Sequence, residues 1–146
     1  MPRGNKIIVT SEPRGRRVTV KIDGAPKPGT IMTVKPGTTI DANGHNEYEA
    51  AGASAGLMDA DGDRIPIAVL DADWDQGKTV SDAYADGDLA EVYFPIPGEE
   101  LNILKLDVAG TADDVVAGTT KFIVDDGTGK IVVTTGTPES EPFIGL

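Results

Sequence analysis

Residues 16–22, RRVTVKI, alternate between polar and apolar side chains and therefore predict a β-strand. Val18, Val20 and Ile22 fall on one face of such a strand, and the intervening polar side chains fall on the other. One face is suited to a protein core and the other to water. The stretch indicates a sheet with a buried side and a solvated side.

Similar patterns recur along the chain. The apolar run IPIAVL at 65–70 predicts a strand buried on both faces, and LAEVYF at 89–94 predicts a strand before the Pro-rich segment that follows it. Residues 119–136, TTKFIVDDGTGKIVVTTG, predict a hairpin with its turn at 126–127. The side chains of the 89–94 strand that we expect to face inward are Leu89, Val92 and Phe94.

Composition supports an all-β fold. The chain has 146 residues, with 18 Gly and 10 Pro, and turn residues recur at short intervals. Hairpin-sized elements at this spacing favour a small closed β-barrel, because closure removes exposed strand edges. The chain has no cysteine, which excludes disulfides, thiolate metal sites and a cysteine nucleophile.

Charge is divided unevenly along the chain. Residues 1–35 carry eight Lys or Arg against Glu12 and Asp23, which is a net charge of +6. Because the whole chain has a net charge of −11, residues 36–146 carry a net charge of −17. We therefore predict one domain with a basic, extended N-terminal arm carrying short strands (1–35), a connecting loop (36–56) and an acidic β-barrel body (57–146).

Two partner classes are disfavoured by these patterns. An acidic body argues against nucleic acid as the main partner, because phosphate binding requires a cationic face. The longest apolar run, Ile65–Leu70, is far shorter than a membrane span, and the N-terminus has no apolar signal region. We predict no nucleic-acid partner and no membrane partner.

Carboxylates flank the apolar run in 56–75, GLMDADGDRIPIAVLDADWD. A twelve-residue calcium loop needs Gly at its sixth position and Glu at its twelfth. Counting from Asp59 these positions hold Arg64 and Leu70, and counting from Asp71 they hold Gln76 and Asp82. We therefore predict no metal site and interpret the acidic residues as two turns around a buried strand, with a weak, non-standard calcium site left open. The six carboxylates are Asp59, Asp61, Asp63, Asp71, Asp73 and Asp75.

No catalytic constellation is apparent in the sequence. His45 is the single histidine and lies in a polar segment. Residues 55–61, AGLMDAD, partly match the motif AGxIDxDYxG of trimeric dUTP-hydrolysing enzymes, but Gly62 stands where that motif has Tyr. We predict that the chain is not an enzyme and takes no cofactor, with a dUTPase-like trimeric hydrolase as the least favoured alternative.

A ligand-binding module is the main alternative. Trp74, Tyr84, Tyr93 and Phe94 offer a stacking platform for sugars, although so few aromatic residues are more consistent with core and interface positions. A carbohydrate-binding or calcium-dependent adhesive β-module therefore remains open.

Two candidate contact surfaces follow from charge and exposure. Arg14, Arg16 and Arg17 lie so close together in the sequence that their side chains cannot all point inward. At least two of them should face water or a partner. The predicted partner-binding set, with its apolar neighbours, is Arg14, Arg16, Arg17, Ile7, Ile8 and Val9. A Pro-x-Pro corner and the C-terminal Pro-Phe-Ile place apolar groups where a monomer would leave them wet. The predicted oligomer interface is Phe94, Pro95, Ile96, Pro97, Phe143 and Ile144.

The second half of the chain resembles a known class of proteins. Residues 77–106, GKTVSDAYADGDLAEVYFPIPGEELNILKL, and 116–146, VAGTTKFIVDDGTGKIVVTTGTPESEPFIGL, resemble head decoration, or cement, proteins of tailed bacteriophages. The resemblance covers roughly 57–146. It rests on the order of a DAYADGD turn, a strand ending in PxPGEEL, an AGT-led hairpin and a closing ESEPFIGL.

The resemblance implies both a fold and a role. The implied fold is a small β-barrel, SH3-like or β-tulip-like. The implied role is structural: a homotrimer, made in the host cytoplasm, that binds the outer surface of the virion capsid and bridges major capsid protein subunits. The resemblance implies no catalytic residue, and it makes the capsid the predicted partner of the arginine-containing set named above.

Overall fold

The structure of the protein is a computed structural model. It describes residues 7–8, 12–51, 68–73, 75–96, 99–103, 121–124 and 128–134. Every regular element in this part of the chain is a strand, so the predicted all-β class is confirmed. Within the same residues, no helix is long and apolar enough to cross a membrane. The strands are β1 (Arg16–Ile22), β2 (Ile31–Val34), β3 (Glu47–Ala50), β4 (Ala68–Leu70), β5 (Leu89–Phe94), β6 (Lys121–Val124) and β7 (Ile131–Thr134).

Five strands close into a barrel in the order β1-β3-β2-β4-β5. The closing seam is long, since β1 runs antiparallel to β5 from the Arg16–Phe94 pair to the Lys21–Leu89 pair. On its other side β1 pairs with β3 in parallel through only two residue pairs. The prediction of a small closed barrel is confirmed.

The boundary of the barrel differs from the prediction. β1 and β2 come from residues that we assigned to the basic arm, and β3 comes from the predicted connecting loop. The proposed division into an arm at 1–35 and a barrel body at 57–146 is therefore wrong. The charge asymmetry is real, but three of the eight basic residues belong to β1, whose Val20 and Ile22 are part of the barrel core.

The inner faces of the strands fill the barrel. Val20, Ile22 and Val92 are fully buried there, and Val18 and Phe94 pack against the cluster from its margin. The inward orientation predicted for β1 is thus confirmed, as is that of Val92 and Phe94 in β5. The complete buried cluster is Val20, Ile22, Met32, Tyr48, Ala68, Leu70, Tyr84, Ala90 and Val92.

Leu89 was predicted to face inward, and that prediction is wrong. Its side chain is 40% exposed and pairs with Lys21 on the outer face, while its neighbour Ala90 points into the core. Because side chains alternate along a strand, Ala90 and Val92 share the inner face. The sequence pattern favoured Leu89 because leucine is the larger apolar residue.

The β4 strand is buried on both faces, as predicted for the part of 65–70 that the structure describes. Ala68 and Leu70 belong to the barrel core, and Val69, which is also buried, pairs with Ile31 of a second apolar layer. That layer contains Ile31 and Ala51, with Ile103 and Ile131 packed against them. One side of the barrel wall is therefore covered.

The predicted C-terminal hairpin is confirmed, because β6 and β7 pair antiparallel from Lys121–Thr134 to Val124–Ile131. Its turn residues 126–127 lie outside the described residues. Gly129 joins the hairpin to the barrel: its carbonyl accepts the Ile31 N–H at 2.7 Å, and its N–H donates to the Ala51 carbonyl at 3.2 Å. A side chain at position 129 would collide with the Ile31 carbonyl oxygen.

Candidate functional site

The acidic residues after β4 form turns and one ion pair. Asp71 is buried, and its carboxylate accepts a hydrogen bond from Arg17 Nη1 at 2.8 Å. Burial raises the pKa of Asp71, while the Ala72 N–H and the Arg17 charge act in the opposite direction. Asp71 therefore anchors the arginine at the barrel wall.

Asp73 builds the next turn. Its Oδ1 accepts the N–H groups of Asp75 and Gln76, each at 3.1 Å, and its Oδ2 accepts Gln76 Nε2 at 2.7 Å. This is the turn-forming use of aspartate that we predicted for the segment. In the described part of the chain no group of three His, Asp or Glu side chains is placed to hold a metal ion. Asp59, Asp61, Asp63 and Trp74 lie outside that part.

The predicted aromatic platform is not available at its two tyrosines. Tyr84 and Tyr93 are both almost completely buried. The Tyr84 hydroxyl donates to the Asp71 carbonyl at 2.9 Å, and burial, reinforced by the Asp73 charge, raises the pKa of Tyr84 to about 12. Both tyrosines are core anchors, and a sugar platform that includes them is contradicted.

His45 is held in a local turn. Its Nδ1 lies 3.1 Å from Asp41 Oδ2, and its backbone N–H donates to Asp41 Oδ1 at 2.8 Å. The His45 backbone N–H is the largest influence that lowers the pKa of Asp41. The contacts of His45 that the structure gives are those of a turn residue.

The three candidate arginines differ in their surroundings. Arg17 bridges Asp71 at 2.8 Å and Glu91 at 3.2 Å, and its guanidinium carbon lies 5.9 Å from the centre of the Tyr93 ring. Arg14 and Arg16 are exposed, and neither makes an ion pair with a described residue. The side chains of Arg14 and Arg16 are therefore exposed to solvent, as predicted, and the guanidinium group of Arg17 is paired with carboxylates on the barrel wall.

The apolar residues predicted to accompany these arginines do not form an exposed surface. Ile7 and Ile8 are only 4% and 9% exposed. The Ile7 carbonyl accepts the Asn102 N–H at 2.8 Å, and Ile8 forms a bridge with Leu101. The prediction that Ile7 and Ile8 contact a capsid is therefore contradicted, because their own chain covers them. Val9 lies outside the described residues.

The Pro-x-Pro corner follows β5 at the same end of the barrel as Arg16. Phe94 is half-buried against the core, Pro95 is half-buried, and Ile96 is 43% exposed. The described part of the corner thus has one apolar side chain open to a partner. Pro97, Phe143 and Ile144, from the same predicted interface, lie outside the described residues.

Glu99, which the sequence analysis missed, ties the corner to the start of β1. Its Oε1 accepts the N–H groups of Arg14 and Gly15, and its Oε2 accepts the Tyr93 hydroxyl at 2.7 Å and the Ile96 N–H at 2.9 Å. Burial alone would raise the pKa of Glu99, but these donors outweigh it and lower the pKa to about 2. We call this arrangement the Glu99 clasp.

Gly15 makes the clasp possible. A Cβ atom at this position would lie 2.3 Å from the Phe94 carbonyl oxygen and 2.6 Å from the Tyr93 ring. The Gly15 N–H also donates to the Tyr93 hydroxyl at 2.8 Å. Only a residue without a side chain allows the two segments to approach this closely.

The outer wall of the barrel also carries an open groove of about 620 Å³. It lies over the β1–β5 seam and is lined in part by Arg17, Leu89 and Glu91, with Asp75 on its edge. Arg17 and Glu91 are already paired with each other across it. The groove is therefore a surface feature outside the packed barrel, with this ion pair in its lining.

Comparison with known proteins adds no assignment to this geometry. No protein-family model matches the chain. No curated protein matches it significantly.

Proposed function

We propose that this protein is a structural component of a tailed-bacteriophage virion that binds the outer surface of the assembled capsid and stabilises it. In this proposal it bridges neighbouring major capsid protein subunits, acts as a homotrimer, and has neither a catalytic role nor a cofactor. The observation that carries the proposal is the closed five-stranded barrel. The resemblance to head decoration proteins implies a small β-barrel, and residues 57–146, which carry that resemblance, contribute β4 and β5 to the barrel observed.

The packing of the barrel supports a role that depends on its outer surface. Side chains such as Ile22, Met32 and Leu70 fill the interior at essentially zero exposure. Small barrels of this kind are filled by their own side chains, so recognition takes place on the wall and at the ends. The contacts proposed here therefore lie outside the barrel.

Stabilisation of a capsid follows from linkage. A protein that binds only the assembled lattice lowers its free energy relative to dissociated subunits and raises the temperature at which it comes apart. The same binding stabilises the folded barrel. Contact with two capsid subunits at once makes the binding depend on the assembled lattice, and a homotrimer at a symmetric position provides such contacts.

The test is electron microscopy of the protein mixed with expanded and with unexpanded heads of its phage. We expect extra density at regular positions on the outer surface and a saturable number of copies per head in a pelleting assay. Heads without added protein provide the control, and their melting temperature should be lower than that of decorated heads. Absence of saturable binding to both head forms would refute the proposal.

A further inference from the structure

Two segments far apart in the chain meet at one end of the barrel. Arg16 pairs directly with Phe94 across the β1–β5 seam. The N–H groups of Arg14 and Ile96 both donate to the carboxylate of Glu99. The exposed arginines and the Pro-x-Pro corner, which the sequence suggested as two separate surfaces, are therefore neighbours.

This end of the barrel carries two exposed arginine side chains. Two other basic side chains of the described residues are neutralised: Lys35, at the opposite end of β1, lies 2.7 Å from Asp23 and 3.1 Å from Glu47, and Arg17 is paired twice. Arg14 and Arg16 have no such partner among the described residues. In a chain of net charge −11, these two exposed guanidinium groups are the cationic part of this surface, beside the Glu99 carboxylate that accepts the Arg14 N–H.

Apolar exposure coincides with this charge. Ile96 is 43% exposed, and it follows the half-buried Phe94 and Pro95. Arginine beside an exposed apolar side chain is a composition enriched in protein interfaces. Nucleic-acid sites instead need an extended cationic face, and this surface has two cations on an acidic protein.

We propose that Arg14, Arg16, Pro95 and Ile96 form one docking surface, here named the arginine rim, that binds an acidic, partly apolar protein surface on the capsid. This inference rests on the proposed function and names the part of the chain that performs it. It excludes Arg17, which holds the barrel wall together. It also assigns the described part of the Pro-x-Pro corner to the capsid and not to contacts between copies of this chain.

The charged and the apolar side chains of the arginine rim affect different rate constants of binding. Exposed guanidinium groups attract and orient a negatively charged partner, which mainly raises the association rate at low ionic strength. Burial of Ile96 removes apolar surface from water and mainly slows dissociation. The Glu99 clasp fixes the backbone beneath both, so less conformational entropy is lost on binding.

The test measures association and dissociation rates of the full chain on immobilised heads at low and high salt. Arg14→Ser/Arg16→Ser is compared with Lys27→Ser/Lys130→Ser, which removes the same net charge from two lysines that are outside the rim and without an ion pair to a described residue. Ile96→Ser is compared with Ile40→Ser, since Ile40 is 62% exposed in a loop away from the rim strands.

We expect the arginine variant to associate roughly tenfold more slowly at low salt, with a smaller difference at high salt, and its lysine control to change little. Ile96→Ser should dissociate roughly tenfold faster, and Ile40→Ser should not. Sedimentation of Ile96→Ser should show the same oligomer as the unmodified chain.

Each contrary result has a distinct meaning. If the unmodified chain fails to bind heads, the proposed function is wrong, and this inference is wrong with it. If it binds and each rim variant equals its control, only the rim is wrong. Dissociation of the Ile96→Ser oligomer would instead assign the corner to a contact between copies. Binding of a DNA duplex that Arg14→Ser/Arg16→Ser abolishes would replace the protein partner by nucleic acid.

Discussion

Replacing Gly129 by alanine should detach the C-terminal hairpin from the barrel. Gly129 has a φ of +63°, and an added Cβ would lie 2.4 Å from both the Ile31 carbonyl oxygen and Thr30 Cγ2. The left-handed conformation costs about 1 kcal/mol for alanine, and the overlap costs about 1–3 kcal/mol more. Displacement also weakens the hydrogen bonds to Ile31 and Ala51, each contributing about 1 kcal/mol.

Together these effects predict a loss of about 2–6 kcal/mol in the free energy of unfolding, which is a large part of the stability of an ordinary domain. Gly24→Ala provides the matched control, because Gly24 has a φ of +76° but no atom within 4 Å of an added Cβ. It should lose only the conformational contribution of about 1 kcal/mol.

Urea unfolding of both variants measures the difference, with the slope used to check that the transition remains two-state. Hydrogen exchange at the Ile31 amide, which donates to the Gly129 carbonyl, should accelerate in Gly129→Ala and stay slow in Gly24→Ala. Equal losses in the two variants would show that close packing at Gly129 contributes nothing and that the hairpin is held elsewhere.

Three further substitutions test the site. Glu99→Gln should flatten the loss of stability on acidification: the pKa of Glu99 is about 2 in the folded protein against an ordinary 4.5, so its contribution is complete above pH 4.5 and disappears as pH falls towards 2. Melting temperatures between pH 6 and pH 2.5 measure this, and parallel curves would contradict it. Arg17→Met should be more destabilising at pH 7 than at pH 4, because it leaves the buried Asp71 carboxylate without its cationic partner. Burial already raises the pKa of Asp71, and protonation at low pH removes the unpaired charge. An equal loss of stability at both pH values in urea unfolding would count against the ion pair. Tyr84→Phe should cost about 1 kcal/mol, because it removes the hydrogen bond to the Asp71 carbonyl and keeps the ring; chemical denaturation that shows no change would mean that this carbonyl finds another donor.

Local pattern predicted the strands well. The alternation in 16–22 placed Val18, Val20 and Ile22 inward, and the short apolar run before Asp71 became a strand buried on both faces. These predictions succeed because side-chain direction along a strand depends only on near neighbours. The single error in β5, at Leu89, came from choosing residue size over the strict alternation.

Partners distant in sequence were not predictable in the same way. Arg17 meets Asp71 across 54 positions, and nothing in RRVTVKI specifies which strand lies beside it. For that reason β1 and β2 were assigned to an arm although they belong to the barrel. Ile7 and Ile8 illustrate the same limit, because an apolar pair has the same sequence pattern whether its own chain or a partner covers it.

The clasp residue also lacked a sequence signature. Glu99 and Glu100 stand side by side after Pro-Gly, and both are ordinary surface residues by type. What distinguishes Glu99 is the convergence of donors from Arg14, Gly15 and Ile96 on one carboxylate. Only the folding of β1 against β5 brings them together.

The β1–β5 seam has a consequence for biosynthesis. Gly15 and Tyr93 touch although they are 78 positions apart, so β1 must wait for β5, which is the last of the five barrel strands along the chain. At the usual rates of translation that delay is roughly 4–16 s. Throughout it an unpaired strand edge is open to neighbouring chains. The charged side chains of Arg16, Arg17 and Lys21 along that strand oppose such pairing, so the same residues that line the finished wall protect the nascent chain from aggregation.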